Sequence, residues 1–425
     1  MKDAESAGFD PKLHEKSRRS FLRRTTALAG GAIAGGAFAQ SVDNTPPNVP
    51  QWMKAEGRAL SDGKYGLPSA FEKNVVRRGR GDQVMPGVGS AMTPLQNLRG
   101  MITPNGLVFE RSHSGIPEID PAQHRLMVHG MVRQPLVFTM DDLMRFPSVS
   151  RIHFLECSGN TSREWRDPFA KSVQVSHGLL SCCEWTGVPL STILDEAGVQ
   201  AGAQWVLAEG ADASAMTRSV PMAKALEDAM LVYAQNGEAL RPENGYPLRL
   251  FLPGFEGNMS IKWLRRLKVG AEPFMTREET SKYTDSLPDG NARLFTFNMD
   301  AKSVITYPAP EHKLRQRGFY EISGLAWTGN GRIRRVDVST DGGRNWREAA
   351  IQEPVLSRAL TRFRLPWQWD GNAAVLQSRA LDDTGYVQPT NAQLVAQRGY
   401  SSIYHYNAIQ SWAVAANGEI SNVHA

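Results

Sequence analysis

The stretch Phe154-Leu155-Glu156-Cys157-Ser158-Gly159-Asn160 marks the point where an apolar run gives way to small polar residues. The apolar residues from Val149 to Leu155 predict a buried strand, and the residues after Cys157 are typical of a turn. Cys157 is therefore expected at the mouth of a strand, where loops and ligands meet. A thiolate in that position is a soft donor for a transition metal, whereas a single cysteine is more often a small buried side chain.

Residues 1–39 carry the pattern of an export signal. The run Ser17-Arg18-Arg19-Ser20-Phe21-Leu22-Arg23 is followed by a weakly apolar stretch that ends in Ala37-Phe38-Ala39. This pattern predicts a twin-arginine signal peptide over residues 1–39 with an Ala-x-Ala cleavage site. The apolar stretch is shorter than the roughly 18 residues that a spanning helix needs, so no membrane span is expected. The chain is expected in the periplasm, exported already folded by the twin-arginine pathway.

The formal charge of +5 overstates the basicity of the mature chain. Residues 1–39 hold seven Lys and Arg against four Asp and Glu, so their removal lowers the charge from +5 to +2. Nucleic-acid binding is therefore not expected. The three cysteines make no disulfide framework. Cys182 and Cys183 are expected as small packed residues, and a strained vicinal disulfide is the alternative.

Three regions follow the signal peptide. Residues 40–107 are rich in Pro, Gly and Arg with little periodicity, which predicts an extended N-terminal arm. Residues 108–290 alternate short strands with short helices, such as Met140–Phe146 and Leu190–Ala197, and so predict a mixed α+β domain. Residues 291–425 show strand patterns alone, separated by Gly-rich turns, which predicts an immunoglobulin-like β-sandwich.

The turn at Cys157-Ser158-Gly159-Asn160 resembles the molybdenum-ligating cysteine loop of the sulfite oxidase family. Ser323–Trp327 and Arg335–Trp346 likewise resemble the dimerisation domain of molybdenum oxidoreductases. The resemblance runs from about Leu107 to the C-terminus. It implies an α+β molybdopterin-binding domain with the sulfite oxidase fold, followed by an all-β immunoglobulin-like sandwich dimerisation domain. Within the family, Arg111–Asp120 and Glu243–Arg249 are most similar to the molybdenum subunit (SoxC) of Sox-type sulfane (sulfur) dehydrogenases.

The resemblance implies a cofactor, molybdenum-molybdopterin, and a set of site residues. Cys157 is the implied metal ligand. Molybdopterin carries a pterin ring and a phosphate, so its pocket needs hydrogen-bonding groups and cations. The implied cofactor-binding residues are Arg111, His113, Cys157, Asn244, Arg249 and Lys262. The implied catalytic residues are Cys157, Tyr283, Arg111 and Arg398.

Two positions depart from the pattern of the sulfite oxidases. Asn244 replaces a histidine that is common there, which keeps hydrogen-bonding capacity but removes a titratable cation. Ser162 stands where sulfite oxidases carry an arginine, and Arg163 lies one step later. The loss of that cation weakens the case for free sulfite as the substrate.

The resemblance implies oxidation of sulfane sulfur, held as a cysteine persulfide on a sulfur-carrier protein, in the thiosulfate-oxidising Sox pathway. The sequence has no Cys-x-x-Cys-His motif for covalent haem, no Gly-x-Gly-x-x-Gly motif after a strand and no P-loop. Electrons are therefore expected to leave through another protein. The resemblance implies a dihaem cytochrome c subunit, with a homodimer of this chain inside a heterotetramer.

Three other functions stay open on the sequence. A periplasmic sulfite:cytochrome c dehydrogenase is the nearest alternative, although such an enzyme would be expected to carry the arginine that Ser162 replaces. A methionine sulfoxide reductase is a more distant enzyme. A cofactor-free secreted binding protein, built on the β-sandwich, belongs to another class and would contain no molybdenum.

Replacing Arg18 and Arg19 together by lysine is expected to stop export, because the twin-arginine route depends on that pair. The measurement is the fraction of the chain in the periplasm, compared with the wild-type chain expressed in the same cells. Efficient export of the double variant would contradict the signal assigned to residues 1–39.

Overall fold

The computed structural model describes Met53, residues 65–80 and residues 87–424. The export signal assigned to residues 1–39 lies outside the described residues, as does most of the stretch 40–64. Pro68–Ala425 forms one compact unit. In the described part of the chain, no helix is long and apolar enough to span a membrane.

Three sheets make up the first part of this unit. The first consists of β1 (Arg78–Arg80), β2 (Gly89–Met92) and β3 (Glu110–Ser112). The second contains, in spatial order, β11 (Glu238–Ala239), β10 (Met230–Gln235), β7 (Leu180–Pro189) and β6 (Val149–Glu156), with β12 (Arg249–Phe251) also beside β10. The third contains β5 (Leu136–Phe138), β4 (Leu126–Gly130), β13 (Leu264–Gly270), β8 (Trp205–Gly210) and β9 (Thr217–Pro221), and only β4 and β13 run parallel.

The second part of the unit is almost entirely β-structure. A short ribbon of β14 (Asp285–Ser286) and β15 (Ala292–Arg293) leads into it. One sheet has the order β16 (Lys302–Tyr307), β17 (Gly318–Trp327), β21 (Thr361–Trp369) and β20 (Ala350–Ile351). The other has the order β19 (Arg347–Glu348), β18 (Ile333–Ser339), β22 (Ala374–Asp382), β23 (Ser411–Val414) and β24 (Ile420–Val423). Apolar side chains of both sheets share one buried cluster, which confirms the predicted sheet-rich second part.

Among the described residues, five short α-helices lie between these strands. Their bounds are α1 Met140–Met144, α2 Val173–His177, α3 Leu190–Ala197, α4 Met222–Glu227 and α5 Asn391–Arg398. The helix predicted from Met140 begins there because the Thr139 hydroxyl accepts the Asp142 N–H, while the Asp142 carboxylate accepts the Thr139 N–H. It ends two residues before the predicted Phe146. Helix α3 matches its predicted bounds and stops at Gly198, whose φ of 70° suits a residue without a side chain.

The stretch predicted as an extended arm, residues 40–107, contributes β1 and β2 where it is described. Strand β2 pairs with both β1 and β3, and Leu95 and Leu98 are buried. Isolated apolar residues among Pro and Gly show no period, so the sequence pattern gave no sign of this packing.

The two parts of the unit share a core next to Cys157. Phe154 of β6 and Cys182 of β7 lie in the same buried cluster as Val304 and Trp327 of the β-rich part. Cys183 packs in a different cluster, because successive side chains of a strand point to opposite faces. All three cysteines are free thiols, so Cys182 and Cys183 are packed small residues as expected.

A buried ion pair also joins the two parts. The Lys302 ammonium, on the first residue of β16, lies 3.0 Å from the Glu156 carboxylate at the end of β6. The other carboxylate oxygen accepts the indole N–H of Trp327 at 2.6 Å, and Lys302 also donates to the Thr161 hydroxyl at 2.9 Å. The side chains of Glu156 and Lys302 are 0% and 1% exposed. Both charges of this pair are therefore shielded from water.

Replacing Lys302 by methionine is expected to lower the free energy of unfolding by about 3–5 kcal/mol, because it leaves the Glu156 charge buried without a partner. The double variant Glu156→Gln, Lys302→Met should recover part of that loss, since no lone charge remains. Denaturant unfolding measures both. Lys313→Met, which removes a largely exposed pair with Glu419, is the control and should leave the midpoint unchanged. A Lys302→Met chain as stable as wild type would contradict the role assigned to the pair.

Candidate active site

The turn after β6 is held by its own asparagine. The Asn160 side chain donates to Glu156 Oε1 at 2.9 Å and to the His177 carbonyl at 3.0 Å, while its oxygen accepts the Leu179 N–H at 3.2 Å. The Asn160 N–H closes the turn on the Cys157 carbonyl at 2.8 Å. Since both ends of the turn are tied to β6 and to the start of β7, the Cys157 thiol has a fixed direction.

A second loop packs against the cysteine turn. A side chain on Gly257 would place its Cβ 2.7 Å from the Glu156 carbonyl oxygen, so only glycine allows this approach. The Asn258 amide donates to the Ser158 hydroxyl at 3.0 Å. From the β-rich part, the His405 N–H donates to the Ser158 carbonyl at 2.9 Å. Three segments distant in sequence therefore enclose Cys157.

A cavity of about 710 Å³ opens beside Cys157. It brings together seven of the eight residues that the sequence places in the site: Arg111, His113, Cys157, Asn244, Arg249, Lys262 and Tyr283. Arg398 does not line the cavity. Asp212, Asn258 and Ser260 line it as well and were not expected from the sequence.

The cavity lining carries three cationic side chains, Arg111, Arg249 and Lys262, against two carboxylates, Asp212 and Glu243. Burial and the neighbouring Arg249 lower the pKa of Lys262 from 10.5 to about 7. Burial also lowers the pKa of Arg249 to about 10. Burial, Arg111 and Lys262 lower the pKa of His113 to about 4, which keeps its imidazole neutral at pH 7. So many buried cations are costly unless an anion lies among them.

The donor set fits molybdopterin. Arg249 donates to the carbonyls of Asn244 and Ser260, yet its Nε is buried without a hydrogen-bond partner among the described residues. The side-chain oxygen of Asn244 is also buried and unpartnered in this part of the chain. Buried polar atoms are seldom left unpaired, so these two atoms are available to form hydrogen bonds with a bound ligand. A phosphate would accept hydrogen bonds from Arg249 and Lys262, and the N–H groups of a pterin would donate hydrogen bonds to the side-chain oxygens of Asn244 and Asp212.

Tyr283 lines the same cavity as Cys157, and two neighbouring side chains contact its ring. The Arg218 guanidinium lies 4.8 Å from its ring, and the Tyr404 ring lies 5.3 Å away. Arg218 is fully buried between Glu256 at 3.1 Å and Glu279 at 3.0 Å. Burial raises the pKa of the Tyr283 phenol well above its usual value, so the hydroxyl stays protonated and can donate a hydrogen bond.

Arg398 is placed apart from the other expected residues. It is the last residue of α5, it is buried, and its guanidinium lies 3.4 Å from the Asp285 carboxylate and 4.0 Å from that of Asp300. Two carboxylates already hold this cation in the structure. Its assignment as a catalytic residue stays a prediction that rests on the resemblance.

Ser162 and Arg163 face a different space from Cys157. Both line a separate cavity of about 460 Å³ on the other side of the cysteine turn, together with Gly159 and Phe169. The Arg163 guanidinium lies 4.5 Å from the centre of the Phe169 ring. Arg163 therefore does not supply the cation whose absence the sequence suggested, and Ser162 does not line the cavity beside the thiol.

Two family models match this chain. The oxidoreductase molybdopterin binding domain matches residues 113–278, and the Mo-co oxidoreductase dimerisation domain matches residues 293–412. The sulfite oxidase of Gallus gallus is 32% identical over 314 residues, which are 68% of this chain and 68% of that protein. The mitochondrial sulfite oxidase of Mus musculus is 32% identical over 339 residues, which are 73% of this chain. The chain spans 62% of the length of the mouse protein.

The chain belongs to the sulfite oxidase family, and its cofactor is molybdenum-molybdopterin. A solved structure extends the comparison. The crystal structure of the sulfane dehydrogenase SoxCD from Paracoccus pantotrophus superposes with a TM-score of 0.86 at 50% sequence identity, covering 89% of this chain and 98% of that one. These findings confirm the resemblance stated from the sequence, together with the order of a molybdopterin-binding domain and a dimerisation domain.

Replacing Cys157 by serine is expected to abolish turnover and keep the fold. A serine hydroxyl is a harder metal ligand than a thiolate, and it is far less acidic than a thiol. Cys182→Ala and Cys183→Ala, the matched controls, remove buried thiols that do not line the cavity and should keep activity. Activity and molybdenum content are measured on the same samples. Equal loss of activity in all three variants, with molybdenum retained, would contradict Cys157 as the protein ligand.

The pKa of Lys262 predicts a pH effect on the cofactor-free chain, made in cells that cannot synthesise molybdopterin. The pKa of Lys262 is about 7 in the folded chain and 10.5 in the unfolded chain. Below pH 7 the folded chain carries a buried ammonium, which lowers its stability. Between pH 7 and pH 10.5 the stability rises, because the folded chain has lost this proton and the unfolded chain still holds it. Lys262→Met should therefore be the more stable chain at pH 6, with an advantage that shrinks toward pH 10. Thermal unfolding tests this, with the exposed Lys313→Met as control. A pH-independent difference would contradict it.

Proposed function

We propose that the chain is the molybdenum subunit of a periplasmic sulfane dehydrogenase, which oxidises sulfane sulfur held as a cysteine persulfide on a carrier protein. The observation that carries the proposal is the 50% identity with a protein named sulfane dehydrogenase, over 98% of that protein's chain. The cavity beside Cys157 supports it, because its residues suit the cofactor that such an enzyme requires.

Five residues of the cavity have a part in this proposal. When bound, the molybdenum cofactor supplies two-electron oxygen-atom transfer. The Cys157 thiolate would hold the metal, while Arg249 and Lys262 would bind the phosphate of the cofactor. The protonated Tyr283 hydroxyl, which lines the same cavity as Cys157, would donate a hydrogen bond to the substrate. Arg111 adds a positive charge near the thiol, and this charge lowers the pKa that burial raises.

The arrangement of cations favours a carrier-bound substrate over free sulfite. Sulfite is a small dianion, and its binding depends on charge-assisted hydrogen bonds from several cations. Arg398 is engaged by Asp285 and Asp300, and Arg163 lies in the other cavity. A persulfide on a protein arm has less charge at the metal, and contacts remote from the metal supply the rest of its affinity.

Electrons leave the chain for a dihaem cytochrome c subunit in this proposal. The sequence has no covalent haem motif of its own, so a separate carrier must take the two electrons one at a time. The match to a dimerisation domain over residues 293–412 supports a homodimer of this chain, which with the cytochrome makes a heterotetramer. The twin-arginine signal of residues 1–39 delivers the folded subunit to the periplasm.

A periplasmic sulfite:cytochrome c dehydrogenase is the second candidate. The observation in its favour is that relatives at 32% identity from Gallus gallus and Mus musculus are named sulfite oxidases. The two candidates share the metal site and differ in what reaches it.

The persulfide-loaded carrier is expected to give a kcat/KM at least about tenfold higher than free sulfite, because sulfite lacks a charge-assisted hydrogen bond worth roughly 1.5–3 kcal/mol. The measurement is reduction of the cytochrome subunit by the purified complex with each substrate. The carrier with a plain thiol is the control and should reduce nothing. A preference for sulfite would replace this proposal by the second candidate.

A further inference from the structure

A groove of about 810 Å³ lies outside the candidate active site, on the sheet formed by β16, β17, β21 and β20. Arg362 and Arg364 of β21 flank Phe363, whose ring is buried in the core of the β-rich part. Since side chains alternate along a strand, the two arginines leave the opposite, outer face of the sheet. The segment 96–100 covers part of that face and forms one wall of the groove.

The groove has an excess of positive charge. Its lining holds three arginines, Arg99, Arg362 and Arg364, against a single carboxylate, Glu321. Arg364 donates to Glu321 at 3.1 Å, but both side chains are nearly half exposed, so the pair is weak. Arg99 makes no hydrogen bond or ion pair with any residue that the structure describes. The charges of the lining are thus not balanced within the groove.

Arg362 is held in a fixed direction at the base of the groove. It is only 9% exposed, and its Nη2 donates to the carbonyls of Leu98 at 3.1 Å and Gly100 at 2.8 Å. Its Nε donates to Gly100 as well, at 3.2 Å. Within the described ranges its Nη1 has no hydrogen-bond partner. Burial, Arg364 and Arg99 lower the pKa of Arg362.

A second polar group in the groove also lacks a partner. The side-chain oxygen of Gln96 is buried, and no described residue hydrogen-bonds to it. Rotation of this amide by half a turn keeps its shape and presents two N–H donors instead. In that rotated orientation Gln96 and Arg362, from the two different walls, both present N–H donors to the space between them.

We propose that this groove is a binding site for a divalent oxyanion of the sulfate or phosphate class. Arg362 and Arg364 stand two residues apart on one face of β21, so their guanidinium groups can take different oxygens of one anion. Arg99 reaches the same space from the covering segment. The forked geometry of guanidinium groups matches an oxyanion and not a chloride ion, which presents a single centre. The site is separate from the cofactor cavity and does not rest on the function proposed above.

The test is a titration of the purified holoenzyme with sodium sulfate and with sodium phosphate, against sodium chloride at equal ionic strength. Calorimetry gives the affinity and thermal unfolding gives the stabilisation, which should saturate as a site fills. Arg99→Gln and Arg364→Gln should each weaken binding by about tenfold or more. Both residues are exposed, so these variants should fold normally. Glu321→Gln removes the competing carboxylate and should strengthen binding.

Arg334→Gln is the matched control, because Arg334 is an exposed arginine of β18 that pairs with Asp383 outside the groove. It should bind as wild type does. Saturable binding of either anion that is lost in the groove variants supports the site. The anion that binds with the higher affinity, sulfate or phosphate, is then the class of natural ligand. An equal response in all variants, or a linear rise of Tm with salt, would overturn it. Those results would place the anion in the cofactor cavity or reflect general exclusion of salt from the surface.

Discussion

The buried ion pair between Glu156 and Lys302 is the constraint on which the rest of the site depends. It ties the end of β6, one residue before the thiol, to the first strand of the sheet that carries Trp327. A buried pair adds little net stability compared with apolar residues, because removing both charges from water is expensive. The contribution of this pair is to orient the end of β6. The carboxylate accepts one bond each from Lys302, Trp327 and Asn160, so the end of the strand has one orientation.

The cofactor cavity shows the same exchange of stability for specificity. Arg249 and Lys262 lie in a protein interior that lowers the pKa of both, and the nearby carboxylates of Glu110, Asp212 and Glu243 offset only part of the effect on Lys262. An anion bound among these cations would remove the remaining cost, and its affinity would be higher by the same amount. His113 contributes in its neutral form, as a hydrogen-bonding group rather than a further cation.

The sequence predicted the local features well and the long-range polar contacts poorly. The strand up to Glu156, the start of α1 at Met140 and the bounds of α3 follow from apolar spacing and from capping residues, which act within a few positions. The residues around the cofactor came from family resemblance, and the structure gathers all of them except Arg398. Asp212 was missed because an isolated acidic residue in a polar stretch carries no pattern. The partner of Glu156 was missed because Lys302 is far away in sequence, and a carboxylate beside apolar residues gives no sign of which cation it meets.

The sequence distance between Glu156 and Lys302, 146 residues, has a consequence for the order of events during synthesis. The cysteine turn can form with β6 and β7, but the contacts from Lys302, Trp327 and His405 exist only after the β-rich part has been translated and has folded. Contacts of such long range are slow to form, since a large loop must close first. The cysteine turn is therefore among the last parts of the chain to become rigid, and a ribosome-bound nascent chain that ends before residue 302 would have the thiol without its final geometry.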